Sequence, residues 1–297
     1  MGIRNATWRA ACRLLAIGGA LSLLACVLPA LGATATASEN RVVPPRAGGS
    51  APSGAGVVAD PCRLQPTVQQ AGGYWPWHDW LYANDYGQLC FYQIANGELK
   101  TRAASARRVV FIGDSITQIW KQEDPDFFAG GVVDRGISGQ TTSQMLVRFR
   151  QDVIDLHPEV VQIMGGTNDI AGNTGDTTLA AIENNIASMA DLARAHGIAV
   201  VLASVLPASH FFWNPKVKPA SAIRALNDWI RAYAAAHNDV YADYYDAMRT
   251  PAGGMKAGLS LDGVHPSVAG IRVMDAIAVR AVRAASAGRP GPGTAHR

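Results

Sequence analysis

The chain is 297 residues long, 48% hydrophobic and 16% charged, with a formal net charge of +3. These values exclude a disordered chain, and the length, beyond the ~150 residues typical of one domain, is within reach of a single large α/β domain. Much of the positive excess lies in Arg4, Arg9, Arg13, Arg41 and Arg46 and in the last residues, so no basic stripe crosses the middle and no nucleic-acid partner is expected.

Residues 1–37 read as an export signal. Arg4, Arg9 and Arg13 form a positive leader, Leu14 to Leu28 an apolar run, and Ala33-Thr34-Ala35 and Ala35-Thr36-Ala37 match a small-residue cleavage pattern. Pro29 and the small residues after it keep the run short of the ~20 residues that a membrane span needs, so the mature chain is expected to carry no stable span. A second reading is a lipoprotein signal, since Leu23-Leu24-Ala25-Cys26 resembles a lipobox and would anchor the chain at Cys26; a retained membrane anchor is a third. Either export route leads to a secreted or periplasmic protein. Residues 38–59, rich in Pro, Gly, Ala and Ser, read as a linker.

Residues 60–104 form an aromatic-rich segment in front of the main domain. Tyr74, Trp75, Trp77, Trp80, Tyr82, Tyr86, Phe91 and Tyr92 crowd together there, with His78 and Asp79 among them. The favoured reading is packing on the outside of the main domain; the other is a sugar- or acyl-binding face near the active site. Cys12 and Cys26 belong to the leader, which leaves Cys62 and Cys90 as an expected disulfide in an exported protein, with two buried thiols as the alternative. No C-x-x-C or histidine cluster suggests a metal, and no cofactor is expected.

From residue 105 to 286, short β-branched runs alternate with amphipathic stretches. Arg108–Gly113, Gly131–Ile137, Val160–Met164, Ile198–Leu206 and Val240–Tyr244 read as buried parallel strands. Thr142–Leu156, Thr177–His196, Ala220–Ala236 and Ser267–Ala285 show helical spacing, with Ser267 a candidate N-cap. The alternation predicts an α/β domain with a five-stranded parallel sheet, whose ligand site should lie at the carboxyl ends of the strands. Residues 287–297 read as a flexible tail.

Chemically competent residues follow the strands in order. Gly113-Asp114-Ser115-Ile116 can present a serine hydroxyl at a strand-to-helix turn. Arg135-Gly136-Ile137-Ser138-Gly139-Gln140-Thr141-Thr142 offers a glycine N–H toward the same point. Gly165-Gly166-Thr167-Asn168-Asp169 supplies an amide donor in Asn168, with Asp169 holding the loop. In Asp262-Gly263-Val264-His265-Pro266 a carboxylate three residues before a histidine can orient it as the base that a serine nucleophile needs. His210, Phe211, Phe212 and Trp213 follow the fourth strand, where His210, Phe211 and Trp213 are candidates for substrate contact.

These blocks, GDSIT, RGISGQTT, GGTND and DGVHP, resemble those of the SGNH (GDSL-type) hydrolase family over roughly residues 105–285. The resemblance implies a flavodoxin-like three-layer α/β/α sandwich. It implies Ser115 as nucleophile, His265 as general base and Asp262 as its orienting acid. It also implies an oxyanion hole from Ser115 N–H, Gly139 N–H and the Asn168 side chain; Gly136 is the other candidate glycine, and Gly139 fits the block better. Ile116 stands where the motif has leucine, and Thr117 rules out the G-x-S-x-G elbow of other lipases.

The expected activity is that of an exported serine esterase acting on a small-molecule or carbohydrate ester. Short acyl groups are favoured because no long apolar lid separates the blocks. An O-acyltransferase with a saccharide acceptor and a lysophospholipase-type lipid esterase share the same triad. A non-catalytic carbohydrate-binding module is disfavoured by the intact blocks, and flavin binding rests on sheet topology alone.

Overall fold

Successive residues of a strand face opposite sides of a sheet, and here both sets are apolar, so the sheet needs cover on both faces. The computed structural model describes Val58 and residues 60–288. The expected export signal, Cys26 anchor site and most of the linker, and the tail from residue 289, lie outside them. The strands are β1 (Val109–Gly113), β2 (Val132–Gly136), β3 (Val160–Ile163), β4 (Ala199–Ala203) and β5 (Val240–Ala242). They form one parallel sheet in the order β2-β1-β3-β4-β5, with Val109 level with Val132 and Val160.

The helices are α1 (Tyr74–Asn84), α2 (Gln93–Thr101), α3 (Ser115–Glu123), α4 (Thr142–Asp152), α5 (Thr167–Ile170), α6 (Leu179–Ala195), α7 (Ala220–His237), α8 (Tyr244–Met248) and α9 (Val268–Ala287). Val110, Ile112, Val161, Ile163, Val200 and Leu202 point into one core with α4, α6 and α7. Val109, Phe111, Val160, Val201 and Ala203 point into the other with α3, α8 and α9. The result is the flavodoxin-like three-layer sandwich expected from the sequence. No helix among the described residues is long and apolar enough to cross a membrane.

Several ends differ from the sequence reading. The fourth strand stops at Ala203, although the chain stays buried through Leu206. There Asn227 replaces the strand ladder, accepting from Val205 N at 2.7 Å and donating to Val205 O at 3.0 Å. The alternation from Tyr241 to Tyr245 is strand only as far as Ala242. Asp243 accepts from Asp246 N at 3.0 Å and caps α8 instead. The helix from Thr142 ends at Asp152 and continues as a 3₁₀ turn over Ile154–Leu156.

The segment before β1 folds onto α4. Cys62 and Cys90 form a disulfide that closes a loop around α1. Gln140, Gln144 and Gln151 donate to the carbonyls of Gly87, Tyr86 and Leu89 at 3.1, 2.9 and 2.7 Å, and the Tyr86 hydroxyl meets Ser143 Oγ at 2.6 Å. A buried polar chain fixes α2 as well. Arg148 is fully buried and donates to Gln140 Oε1, Asp152 Oδ2 and Gly113 O at 2.6, 3.0 and 2.9 Å. Asn96 Nδ2 donates to Asp152 Oδ1 at 2.6 Å and Asn96 Oδ1 accepts from Arg135, while the Tyr92 hydroxyl donates to Gly136 O at 2.6 Å. Each buried charge thus has partners, as its low-dielectric surroundings require.

Candidate active site

Ser115 is the first residue of α3, so its N–H has no partner inside the helix, and Asp114 caps the turn by accepting from Ile116 N at 2.9 Å. Its hydroxyl lies 3.0 Å from His265 Nε2. The other ring nitrogen, Nδ1, lies 2.7 Å from Asp262 Oδ2. A single turn organises this pair: Asp262 Oδ1 accepts from Val264 N and His265 N at 2.9 and 2.8 Å, and the Ser260 hydroxyl donates to His265 O at 2.7 Å. Burial by itself would raise the Asp262 pKa. The hydrogen bond and charge of His265, with the two backbone N–H groups, outweigh it and hold the carboxyl below its ordinary range. Asp262 is therefore ionised where a neutral His265 would act as a base, and its acceptor oxygen favours the tautomer with the proton on Nδ1.

Of the two candidate glycines, Gly136 has its N–H committed to Asp134 Oδ1 at 2.8 Å. Gly139 sits in the following loop at φ +81°, a left-handed conformation that a side chain would strain. Asn168, at the start of α5, is buried next to it. Its Nδ2 donates to Gln140 O at 3.0 Å and, over a longer 3.3 Å, to Asp114 Oδ2. Asp114 has its pKa raised to about 6 by burial, against the lowering pull of the Ile116 N–H and His265. Asp169 anchors the same loop to the start of α4, accepting from Thr142 N at 2.9 Å and Thr142 Oγ1 at 2.6 Å.

Asn173 is a residue that the sequence did not single out. Its Nδ2 donates to Asn168 Oδ1 at 2.9 Å and to Gly139 O at 3.1 Å, and its Oδ1 accepts from Trp213 Nε1 at 3.0 Å. Since Asn168 Oδ1 is held as an acceptor, its Nδ2 is turned the other way, toward Asp114 and Gln140. Asn173 lies in an irregular loop with no motif or period, so only its partners give it a role.

The loop after β4 divides differently from the expectation. Phe211 is fully buried in the core under α6 and α7, stacked on Trp213 at 4.9 Å, and presents no surface to a substrate. Phe212 takes its place, 49% exposed with its ring 6.5 Å from that of His265. Trp213 is 37% exposed, 6.3 Å from His265. His210 lies against the Asp262–His265 turn, its Cε1 about 3.0 Å from where a Cβ on Gly263 would fall. The structure thus brings Ser115, His265, Asp262, Gly139, Asn168, His210 and Trp213 to one edge and leaves Phe211 out.

Residues 111–273 match the model of the GDSL-like lipase/acylhydrolase family. The crystal structure of a GDSL-like lipase from Bacteroides thetaiotaomicron is similar, with 42% identity and a TM-score of 0.65 over 67% of this chain and 98% of that one. Esterase TesA of Pseudomonas aeruginosa is 26% identical over 185 residues, 58% of this chain and 85% of that protein. An uncharacterized lipoprotein of Bacillus subtilis, YqeF, is 27% identical over 129 residues, 40% of this chain and 52% of the lipoprotein.

Proposed function

The chain belongs to the GDSL-like lipase/acylhydrolase family and is a carboxylic ester hydrolase; from that premise we propose that it is exported and cleaves short acyl groups from small-molecule or carbohydrate esters through an acyl-enzyme on Ser115. The observation that carries this reading is the line Ser115 Oγ–His265 Nε2–Asp262, with 3.0 Å across the first gap and 2.7 Å across the second. His265 Nε2 takes the hydroxyl proton as Ser115 Oγ bonds to the ester carbonyl carbon. The carbonyl oxygen becomes an oxyanion facing the N–H groups of Ser115 and Gly139 and the Asn168 amide. An oxyanion would draw Asn168 Nδ2 away from its longer bond, the 3.3 Å one to Asp114, while the bond to Gln140 keeps the amide in place.

His265 then gives its proton to the leaving alcohol, and the carbon–oxygen bond breaks. Water repeats the cycle, losing its proton to His265 while Ser115 takes it back as the acid departs. The Phe212 and Trp213 rings crowding His265 support a small acyl group. The disulfide supports export, because such bonds persist in oxidising compartments, and the basic and apolar pattern of residues 1–37 agrees. The test is turnover of 4-nitrophenyl acetate by folded Ser115→Ala. Loss of about 10³-fold or more in kcat is expected; near-full activity would overturn the reading.

A further inference from the structure

Helix α1 carries a row of aromatic rings along one face. Tyr74, His78 and Tyr82 stand four residues apart, the spacing that sets helical side chains one above the next, and Tyr86 continues the row past the helix end. Ring centroids are separated by 5.9 Å from Tyr74 to His78, 4.4 Å from His78 to Tyr82 and 6.1 Å from Tyr82 to Tyr86. Trp75 flanks the outer end, edge-on to Tyr74 at 5.3 Å and to His78 at 5.9 Å, and is 69% exposed.

The row touches the catalytic edge at Tyr82. The Tyr82 hydroxyl donates to the carbonyl of Asn173 at 3.4 Å. Asn173 in turn holds Gly139, Asn168 and the Trp213 indole, whose ring stands 6.3 Å from His265. The row is therefore linked through hydrogen bonds, from Tyr82 by way of Asn173, to the indole beside the base. It also precedes the stretch that matches the family model, which begins at residue 111.

Core packing does not account for it, since Leu81 is the one buried side chain of α1. Tyr74 and Trp75 at its outer end are exposed while His78 and Tyr82 are half-buried, and rings left open in one row mark a binding surface more than a fold requirement. Their chemistry narrows the occupant. Each ring has a polar rim, a phenol hydroxyl, an imidazole or an indole N–H. The helix sequence YWPWHDWLYAN holds no Lys or Arg, and its one charged residue is Asp79. Burial pushes the His78 pKa down and so favours the uncharged imidazole, against the opposing pull of Asp79. Such a surface offers nothing to a phosphate or carboxylate, and its polar rims waste hydrogen-bonding capacity on an alkyl chain. A pyranose, with a flat C–H face and a rim of hydroxyls, matches it on both counts.

We propose that this row is a subsite for the neutral glycan chain that bears the scissile ester. The esterified unit sits at Phe212 and Trp213, and neighbouring sugars stack along Tyr82, His78, Tyr74 and Trp75. The inference deepens the carbohydrate-ester reading above and rests on it. The platform is held ready: the disulfide brackets α1, and Asp85 accepts from Leu89 N and Cys90 N at 2.7 and 3.1 Å beyond its end.

The test compares the full chain with the Tyr74→Ala/Trp75→Ala variant on acetylated cello-oligosaccharides from disaccharide to hexasaccharide, with 4-nitrophenyl acetate as a glycan-free reference. The readout is the ratio of kcat/KM on each oligosaccharide to that on the reference, so the fraction of active protein cancels. In the unaltered chain the ratio should rise about tenfold with glycan length, as stacking on two rings implies. In the variant the rise should flatten, through KM. Unesterified cellohexaose should quench the tryptophan fluorescence of Ser115→Ala and fail to do so once the two aromatic substitutions are added. An unchanged length dependence in the variant would overturn the proposal, as would a loss on 4-nitrophenyl dodecanoate in place of the glycans. Absence of any 4-nitrophenyl acetate turnover in the unaltered chain would instead sink the esterase reading beneath it.

Discussion

Asn173 controls which way the Asn168 amide faces, and altering it should slow turnover without touching the triad. Asn173→Ala removes the bonds to Asn168 Oδ1, Gly139 O and Trp213 Nε1, at 2.9, 3.1 and 3.0 Å. The bond to Asn168 is the one that matters for the reaction, because a reversed amide would turn an oxygen toward the forming oxyanion. Losing a neutral hydrogen bond of about 1–1.5 kcal/mol translates to roughly a tenfold drop in kcat. Asn173→Asp keeps the size but presents acceptors to two acceptors, Asn168 Oδ1 and Gly139 O. Its loss should approach the ~10²–10³ of a missing oxyanion donor. KM for 4-nitrophenyl acetate should move little in either variant. The Asp variant carries a further signature: its activity relative to the unaltered chain should recover as pH falls, since a protonated carboxyl can again donate to Asn168. Steady-state kinetics across pH reads all of this. An Asn173→Asp enzyme as fast as the unaltered chain, or a loss confined to KM, would rule out this role for Asn173.

Arg148→Met should cost about 3–5 kcal/mol, because it strands the fully buried Asp152 carboxylate with only amide partners; an unchanged urea midpoint would contradict it. Burial raises the Asp134 pKa to about 6, despite the Gly136 N–H that lowers it. The carboxyl therefore binds its proton more readily in the folded chain. The stability this brings is complete below the unfolded value near 3.9 and is lost as pH rises through about 6, up to about 3 kcal/mol. Asp134→Asn should thus gain on the unaltered chain between pH 4 and pH 7 in denaturant titrations, and a constant difference would argue against the shift. Cys62→Ser/Cys90→Ser opens a loop whose ends are 28 residues apart and should lose roughly 3–4 kcal/mol on the chain-entropy account. A change below about 1 kcal/mol would count against a stabilising crosslink.

The sheet was legible because its strands are short apolar runs bounded by Gly, Pro and Asp, and parallel order delivers the end of every strand to the same edge. Ser115, Asn168 and the Asp262–His265 turn meet there for that topological reason. Finer features needed contacts between distant loops. Phe211 and Phe212 are equivalent in sequence, and the bend of the loop decides which enters the core. Val205 and Leu206 look like strand because they extend the apolar run, but the Val205 backbone is satisfied by Asn227. Tyr244 alternates like a strand residue, yet the Asp243 cap starts a helix there. Asn173 had no local signal, since its side-chain partners lie in other loops or on other helices.

The proposed chemistry turns on Ser115 as the nucleophile, set for attack by His265. Mass spectrometry of the chain treated with a fluorophosphonate tests it most directly. A single covalent adduct is expected, mapped to the peptide containing Ser115, forming in step with the loss of ester hydrolysis and much more slowly in His265→Ala. Inactivation with the adduct on another residue, or with Ser115 left unmodified, would contradict it.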